Sequence, residues 1–205
     1  MEQLKSQFNK LYFEYYAKYS MVLSCDKKYN HLKKGESPDW QSERLDIGVE
    51  VTRAIAKDIC LAYDIIVEYF GNGCDEAFYG YSSDINYINC REENEGQISI
   101  DDISNIENLK NIYIQKTEKL NKNYTQYSKN LLYMFTFRTM DESEVAKCFE
   151  ADTSKYKLNY DLCLINCFDR LYVCSFIDKS IIQTIHVPQR ILNKLKNKAY
   201  KKSKI

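Results

Sequence analysis

Hydrophobic residues return at three- and four-residue steps through the first part of the chain. Leu4, Phe8, Leu11, Tyr15, Tyr19 and Val22 share one stripe, which predicts a helix over about 2–25, with Glu14 at the stripe's edge. The run Lys33-Lys34-Gly35-Glu36-Ser37-Pro38 ends that pattern. The period then changes to two. Ile47, Val49 and Val51 alternate with Asp46, Gly48, Glu50 and Thr52, so a strand is expected with one face apolar and inward and the other polar. Ile55, Ile59, Ala62, Ile66 and Phe70 predict a second helix over 53–70, closed by Gly71 and Gly73.

Further on, Ile106, Leu109, Tyr113, Lys116, Leu120, Tyr124 and Tyr127 form a stripe that predicts a helix over 104–128. The apolar, aromatic run at 131–137 reads as a buried strand, and 142–150 as a short helix. Two strands are expected at 161–166 and 171–176 around a turn at 168–170, and a last helix at 188–198. Strands interleaved with helices predict an α/β fold, with a central mixed β-sheet flanked by helices. No repeat or low-complexity linker divides the chain, so 1–205 is taken as one domain.

Charge changes this picture in two places. Residues 74–108 hold nine acids and one base, which marks an acidic, solvated insertion at about 74–103. From Arg190 to Lys204 there are seven bases and no acid, a basic C-terminal tail at 190–205. That tail is either a frayed, solvated terminus or a set of phosphate contacts through Lys194, Lys196, Lys198, Lys201 and Lys202. Overall, 29 bases balance 29 acids, which excludes a wholesale polycation but not a local basic patch. No apolar run reaches the roughly 18 residues of a membrane span, and the N-terminus lacks a secretory pattern. A cytoplasmic protein that does not enter membranes is expected. The eight cysteines contain no C-x-x-C pair, and His31 and His186 stand apart from them. They are expected to be reduced, buried thiols rather than disulfides, zinc ligands or nucleophiles.

The chemistry-bearing feature is Pro38-Asp39 followed by Glu50-Val51-Thr52 at the end of a strand. Two carboxylates meeting there can share a hard cation, Mg²⁺ or Mn²⁺. Thr52 lies on the Glu50 face and is equally well placed to cap a following helix. Lys116 interrupts an otherwise apolar stripe, which turns its amine toward the body of the domain or lets it snorkel to water.

This segment, about 37–54, resembles the PD-(D/E)xK nuclease superfamily, whose members have a restriction-endonuclease-like fold. The resemblance implies that Asp39 and Glu50 are the metal-binding acids and that Glu14 is the helical acid that assists them. It also implies a nucleic-acid substrate, a phage, mobile-element or defence setting, and a homodimer. The chain departs from the pattern at the lysine, where Thr52 stands. Threonine carries no charge, so a lysine from a neighbouring element is needed, with Lys116 first and Lys119, Lys57 or Arg53 behind it. Two functions of different class follow. One is a metal-dependent phosphodiesterase acting on DNA or RNA, or on a small nucleotide, with Asp39, Glu50, Thr52, Lys116 and Glu14 as its catalytic set. The other is an inactive relative that binds or inhibits a protein partner through its acidic stretch or its tyrosines. Tyr12, Tyr15, Tyr16 and Tyr19 either stack on bases or belong to the core, and Trp40 either walls the site or plugs the hairpin.

Overall fold

The computed structural model describes residues 2–54, 87–88, 98–99, 106–136, 139–167 and 169–203. The helix expected at 53–70, Lys57, and most of the acidic stretch lie outside these residues. Within them the chain is a mixed α/β structure. Helix α1 (Glu2–Ser24) leads through a 3-10 turn to strands β1 (Lys33–Lys34), β2 (Trp40–Ser42) and β3 (Ile47–Arg53). The two-residue strands β4 (Tyr87–Ile88) and β5 (Ile98–Ser99) pair with each other. Helix α2 (Ile106–Lys122), strand β6 (Lys129–Phe135), helix α3 (Glu142–Lys147), strands β7 (Leu162–Cys167), β8 (Arg170–Ser175) and β9 (Ser180–His186), and helix α4 (Gln189–Ser203) complete the described chain.

Seven strands form one sheet in the order β1-β2-β3-β6-β7-β8-β9. The central trio β3, β6 and β7 is parallel and the flanking strands are antiparallel. Parallel strands need cover on both faces, and the buried residues divide accordingly. Val49, Val51, Leu131, Tyr133 and Leu164 pack with Tyr12, Tyr16 and Ala17 of α1 and with Leu192, Leu195 and Ala199 of α4. Leu132, Met134, Cys163, Ile165 and Tyr172 pack with Leu109, Tyr113 and Leu120 of α2 and Val145 of α3. Asp141 and Glu144 close a reciprocal capping box at the start of α3, which fixes that short helix.

Several expectations change. Strand β3 is covered on both faces, so Gly48 and Glu50 are buried rather than solvated. The alternation was real, but its polar face meets α2. Among the described side chains of α1 the buried ones are Tyr12, Phe13, Glu14, Tyr16, Ala17, Tyr19, Ser20 and Met21, so of the expected stripe Tyr19 is buried while Leu11, Tyr15 and Val22 are only half-buried, because the helix is wedged between the sheet and α4. Tyr12, Tyr16 and Tyr19 are therefore core residues, and their rings are not open to bases. Thr52 lies inside β3, which runs on to Arg53, and the Ala54 N–H donates to the Phe135 carbonyl at 2.7 Å; the helix expected to follow Thr52 as its cap lies outside the described residues. The basic tail is not frayed. It is helix α4, docked on α1, and Lys196 is 5% exposed within that contact. The five described cysteines are free thiols. No helix among the described residues is long and apolar enough to cross a membrane.

The turn between β2 and β3 explains how the hairpin is held. Ser42 Oγ accepts from the Leu45 N–H at 3.3 Å, and Asp46 turns the chain with a left-handed φ of 52°. Asp46 then accepts from the Ser128 N–H, and its carbonyl from the Lys129 N–H, both at 3.1 Å, which sets β6 beside β3. Gly48 lies where the Tyr127 ring and Pro38 close over the strand. A Cβ there would meet Tyr127 Cδ2 at 2.6 Å and Pro38 Cγ at 2.8 Å. Gly48→Ala should therefore cost about 1–3 kcal/mol through overpacking. Urea unfolding would read this directly, and an unchanged midpoint would show that the Tyr127 ring yields freely.

Candidate functional site

Strands β2 and β3 pair with Trp40 opposite Val49 and Gln41 opposite Gly48. Continuing that register by one residue sets Asp39 opposite Glu50. Asp39 is locked there because its Oδ2 accepts the Val51 N–H at 2.8 Å, while its own carbonyl accepts the Gly35 N–H at 2.9 Å. Glu14 arrives from α1, which is pinned to the hairpin by the Trp40 Nε1–H donating to the Glu14 carbonyl at 2.9 Å. Trp40 thus plugs the junction between helix and hairpin, with Tyr15 edge-on to its ring. The three acids are nearly out of solvent: Glu14 and Asp39 are 1% exposed and Glu50 5%.

Buried carboxylates require partners, and lysines supply them from three directions. Lys116, on α2, donates to Glu50 Oε1 at 2.5 Å. Tyr124 donates its hydroxyl to the same oxygen at 2.7 Å. Both bonds fall on Oε1, which leaves Oε2 clear of them. Lys10, one helical turn before Glu14, lies 3.4 Å from Glu14 Oε1 and 3.3 Å from Asp39 Oδ1. Lys34 of β1 is paired with Glu14 Oε2 and stands 3.9 Å from Asp39 Oδ1. Glu14 Oε1 is buried without a hydrogen-bond partner; its contact with Lys10 is a looser ion pair.

The electrostatics follow from this crowding. Burial first, then the neighbouring Asp39, pushes the Glu14 carboxyl up to about 7, with Lys34 opposing. Burial also raises Glu50; Lys116 counters this, and Asp39 adds to it. Burial alone would lower Lys10, but the charges of Asp39 and Glu14 overcome that and hold its ammonium above the ordinary lysine range.

Of the sequence-derived set, Glu14, Asp39, Glu50 and Lys116 come together. Thr52 shares the Glu50 face two residues on, yet the groups that bond Glu50 are Lys116 and Tyr124. Lys119 is exposed on α2. Three participants were missed. Lys10 was legible as an i,i+4 partner of Glu14, and Lys34 as a cation beside the Pro38-Asp39 turn. Tyr124 carried no signal beyond its place on the stripe expected over 104–128, and it falls just past the end of α2 at Lys122.

Chemically, the donors are hard oxygens, which suit Mg²⁺ or Mn²⁺ rather than a soft metal. No cluster of three or more His, Cys, Asp or Glu side chains among the described residues is arranged to hold a metal ion. The hydrogen bonds from Val51, Lys116 and Tyr124 fall on Asp39 Oδ2 and Glu50 Oε1, and the buried Glu14 Oε1 has no hydrogen-bond partner. No family model matches the chain, and neither a curated protein nor a solved structure matches it.

Proposed function

We propose that this pocket is the active site of a metal-dependent phosphodiesterase of the PD-(D/E)xK type, acting on DNA or RNA, on a restriction-endonuclease-like fold. The observation that supports it most is Lys116 Nζ at 2.5 Å from Glu50 Oε1. The chain lacks lysine two residues after Glu50, and a helix residue 66 positions further along the sequence supplies one to the same carboxylate. Asp39 and Glu50 would hold Mg²⁺ or Mn²⁺, with Glu14 assisting. Such an ion supplies Lewis-acid polarisation of the phosphoryl oxygen and a bound water of lowered pKa. Lys116 opposes the rise that burial imposes on Glu50 and orients it through Oε1, and its ammonium is close enough to the carboxylate to offset negative charge that develops on a bound phosphate. Tyr124 fixes the Glu50 rotamer from the same side, and Thr52 orients a ligand from the Glu50 face.

The test is cleavage of single- and double-stranded DNA and RNA with Mg²⁺ or Mn²⁺. EDTA should stop it, and Asp39→Asn and Glu50→Gln should each lower it by at least about 100-fold while leaving the circular dichroism spectrum intact. Cleavage that persists in the double variant would overturn the assignment. A second reading is favoured by the ion pairs of Lys10 and Lys34 with Glu14 and Asp39, which already neutralise part of the pocket. On that reading the chain is an inactive relative that binds a protein partner. It requires that calorimetry find neither Mn²⁺ binding nor turnover.

A further inference from the structure

Four lysines lie between α4 and the acid pocket. At the far end, Lys198 of α4 sits with its Nζ 4.0 Å above the Tyr19 ring of α1. Lys18, on the next part of α1, places its Nζ 4.6 Å from the Trp40 ring and donates to the Leu32 carbonyl at 2.5 Å. Lys34 lies against the same indole, 5.5 Å from its centroid, and reaches Glu14. Lys10 closes the series at Asp39, 3.3 Å away. Lys10, Glu14 and Lys18 follow each other at four-residue steps on one face of α1.

The outer pair is unusual. Neither Lys18 nor Lys198 has a carboxylate partner among the described residues. Burial lowers the Lys18 ammonium, and the positive charge of Lys198 lowers it further. Two like charges thus lie near each other, one over the Trp40 ring and one over the Tyr19 ring, with no carboxylate of the described residues paired to either. Such an arrangement costs free energy alone and regains it when an anion arrives. The rings beneath are buried, Tyr19 at 7% and Trp40 at 2% exposed, so they seat the ammonium groups and do not stack on bases. What the row offers outward is charge, at Lys10, Lys34 and Lys198, which are exposed, with the half-buried Lys18 among them. From Lys10 to Lys18 the helix rises about 12 Å, the axial length of three or four phosphates in one strand of a duplex.

We propose that Lys198, Lys18, Lys34 and Lys10 form one continuous track for the phosphodiester backbone of a nucleic acid, running from α4 across α1 into the Asp39–Glu50 pocket. This deepens the phosphodiesterase reading by naming the contacts that position its substrate, and it rests on that reading only for the direction in which the strand runs. It also reassigns the phosphate contacts of the basic segment. Lys198 is the exposed lysine of that segment whose ammonium is seen to lie on a ring of α1. Lys196 is enclosed in the helix contact, and Lys201 and Lys202 lie in the last turn of α4.

Binding of fluorescein-labelled oligodeoxythymidine and oligouridine, each about 20 nucleotides, would be measured in EDTA across a salt series. Lys18→Gln/Lys198→Gln should weaken binding several-fold and reduce the slope of log K against log salt by about 1.4, two lost contacts at about 0.7 each. Lys18→Arg, which keeps the charge, should restore the wild-type slope. Lys201→Gln/Lys202→Gln should leave it in place. Because Lys198 is exposed, Lys198→Gln alone, with half the effect, decides the matter should the Lys18 variant fail to fold. An unchanged slope in the Lys18/Lys198 variants, a loss that follows Lys201 and Lys202 instead, or no binding by wild type to either oligonucleotide would each overturn the track. Binding that follows Lys18 and Lys198 without any cleavage in Mg²⁺ would keep the track and remove the phosphodiesterase reading. Cleavage with wild-type binding in the lysine variants would do the reverse.

Discussion

Replacing Lys116 by methionine should lower the unfolding free energy by about 3–5 kcal/mol near pH 8, the cost of leaving a buried carboxylate without its cation. Glu50 is 5% exposed, and its two hydrogen bonds come from Lys116 and Tyr124. Methionine matches the length of the lysine stem, so the packing of α2 survives and the loss is electrostatic. The effect must depend on pH. Burial already raises Glu50, and Lys116 is the chief force that lowers it. Without the lysine the carboxyl rises further and takes a proton in the folded state at a higher pH. A carboxyl whose folded pKa exceeds its unfolded one favours the native state at low pH and withdraws that support as pH rises. The penalty in Lys116→Met should therefore shrink toward about pH 5 and grow toward about pH 8. Glu50→Gln in the same background should recover much of it, since the amide oxygen still accepts from Tyr124. Urea unfolding of the four members of the cycle at both pH values measures the coupling. A penalty that is the same at each pH, or additive with Glu50→Gln, would show that Lys116 acts only through its stem.

The second large effect concerns Glu14. Its carboxyl sits at about 7 against an ordinary 4.5, with burial the leading cause and Asp39 the next. Between these two values the folded protein holds a proton that the unfolded chain has released. Stability from this group is then complete below about 4.5 and is lost as pH climbs through about 7, by an upper limit on the order of 3 kcal/mol. Glu14→Gln cannot ionise and keeps an acceptor for Lys34. In metal-free buffer it should be more stable than wild type at about pH 8 and nearly equal to it at about pH 5. Thermal unfolding across that range checks the difference, and parallel curves for the two proteins would mean that the native Glu14 ionises without strain.

Much of this site could be read from local pattern. The spacing between Pro38-Asp39 and Glu50 matters because a short hairpin puts the two acids in register, and a period-two strand announces itself in sequence. Lys116 was legible because Tyr113 and Leu120, three and four residues to either side, are both buried, so the lysine between them must enter the same interface. Other parts were not legible, for physical reasons. Both faces of β3 are covered, and alternation alone cannot say whether a polar face meets water or a helix. Strand β9 is an edge whose side chains are only half-buried, with Ile182 58% exposed, so it lacks an alternating signature. The docking of α4 on α1 is long-range. Its buried Leu192, Leu195 and Ala199 are outnumbered by lysines in the local sequence, and the charge hid the stripe. Lys34 pairs with Glu14 across a separation of 20 residues, which no local window connects.

The bonds from Lys116 and Tyr124 to Glu50 span 66 and 74 positions of chain. Contacts of such reach form late, after shorter-range structure has already met its entropic cost. A nascent chain that has emerged only as far as β3 already carries all three acids, but neither group that restrains Glu50. Its charge balance stays incomplete until α2 and the turn after it have left the ribosome. On this topology Lys10 and Lys34 are present to pair with Glu14 and Asp39 as soon as β3 has emerged, whereas Glu50 waits for translation to reach Tyr124.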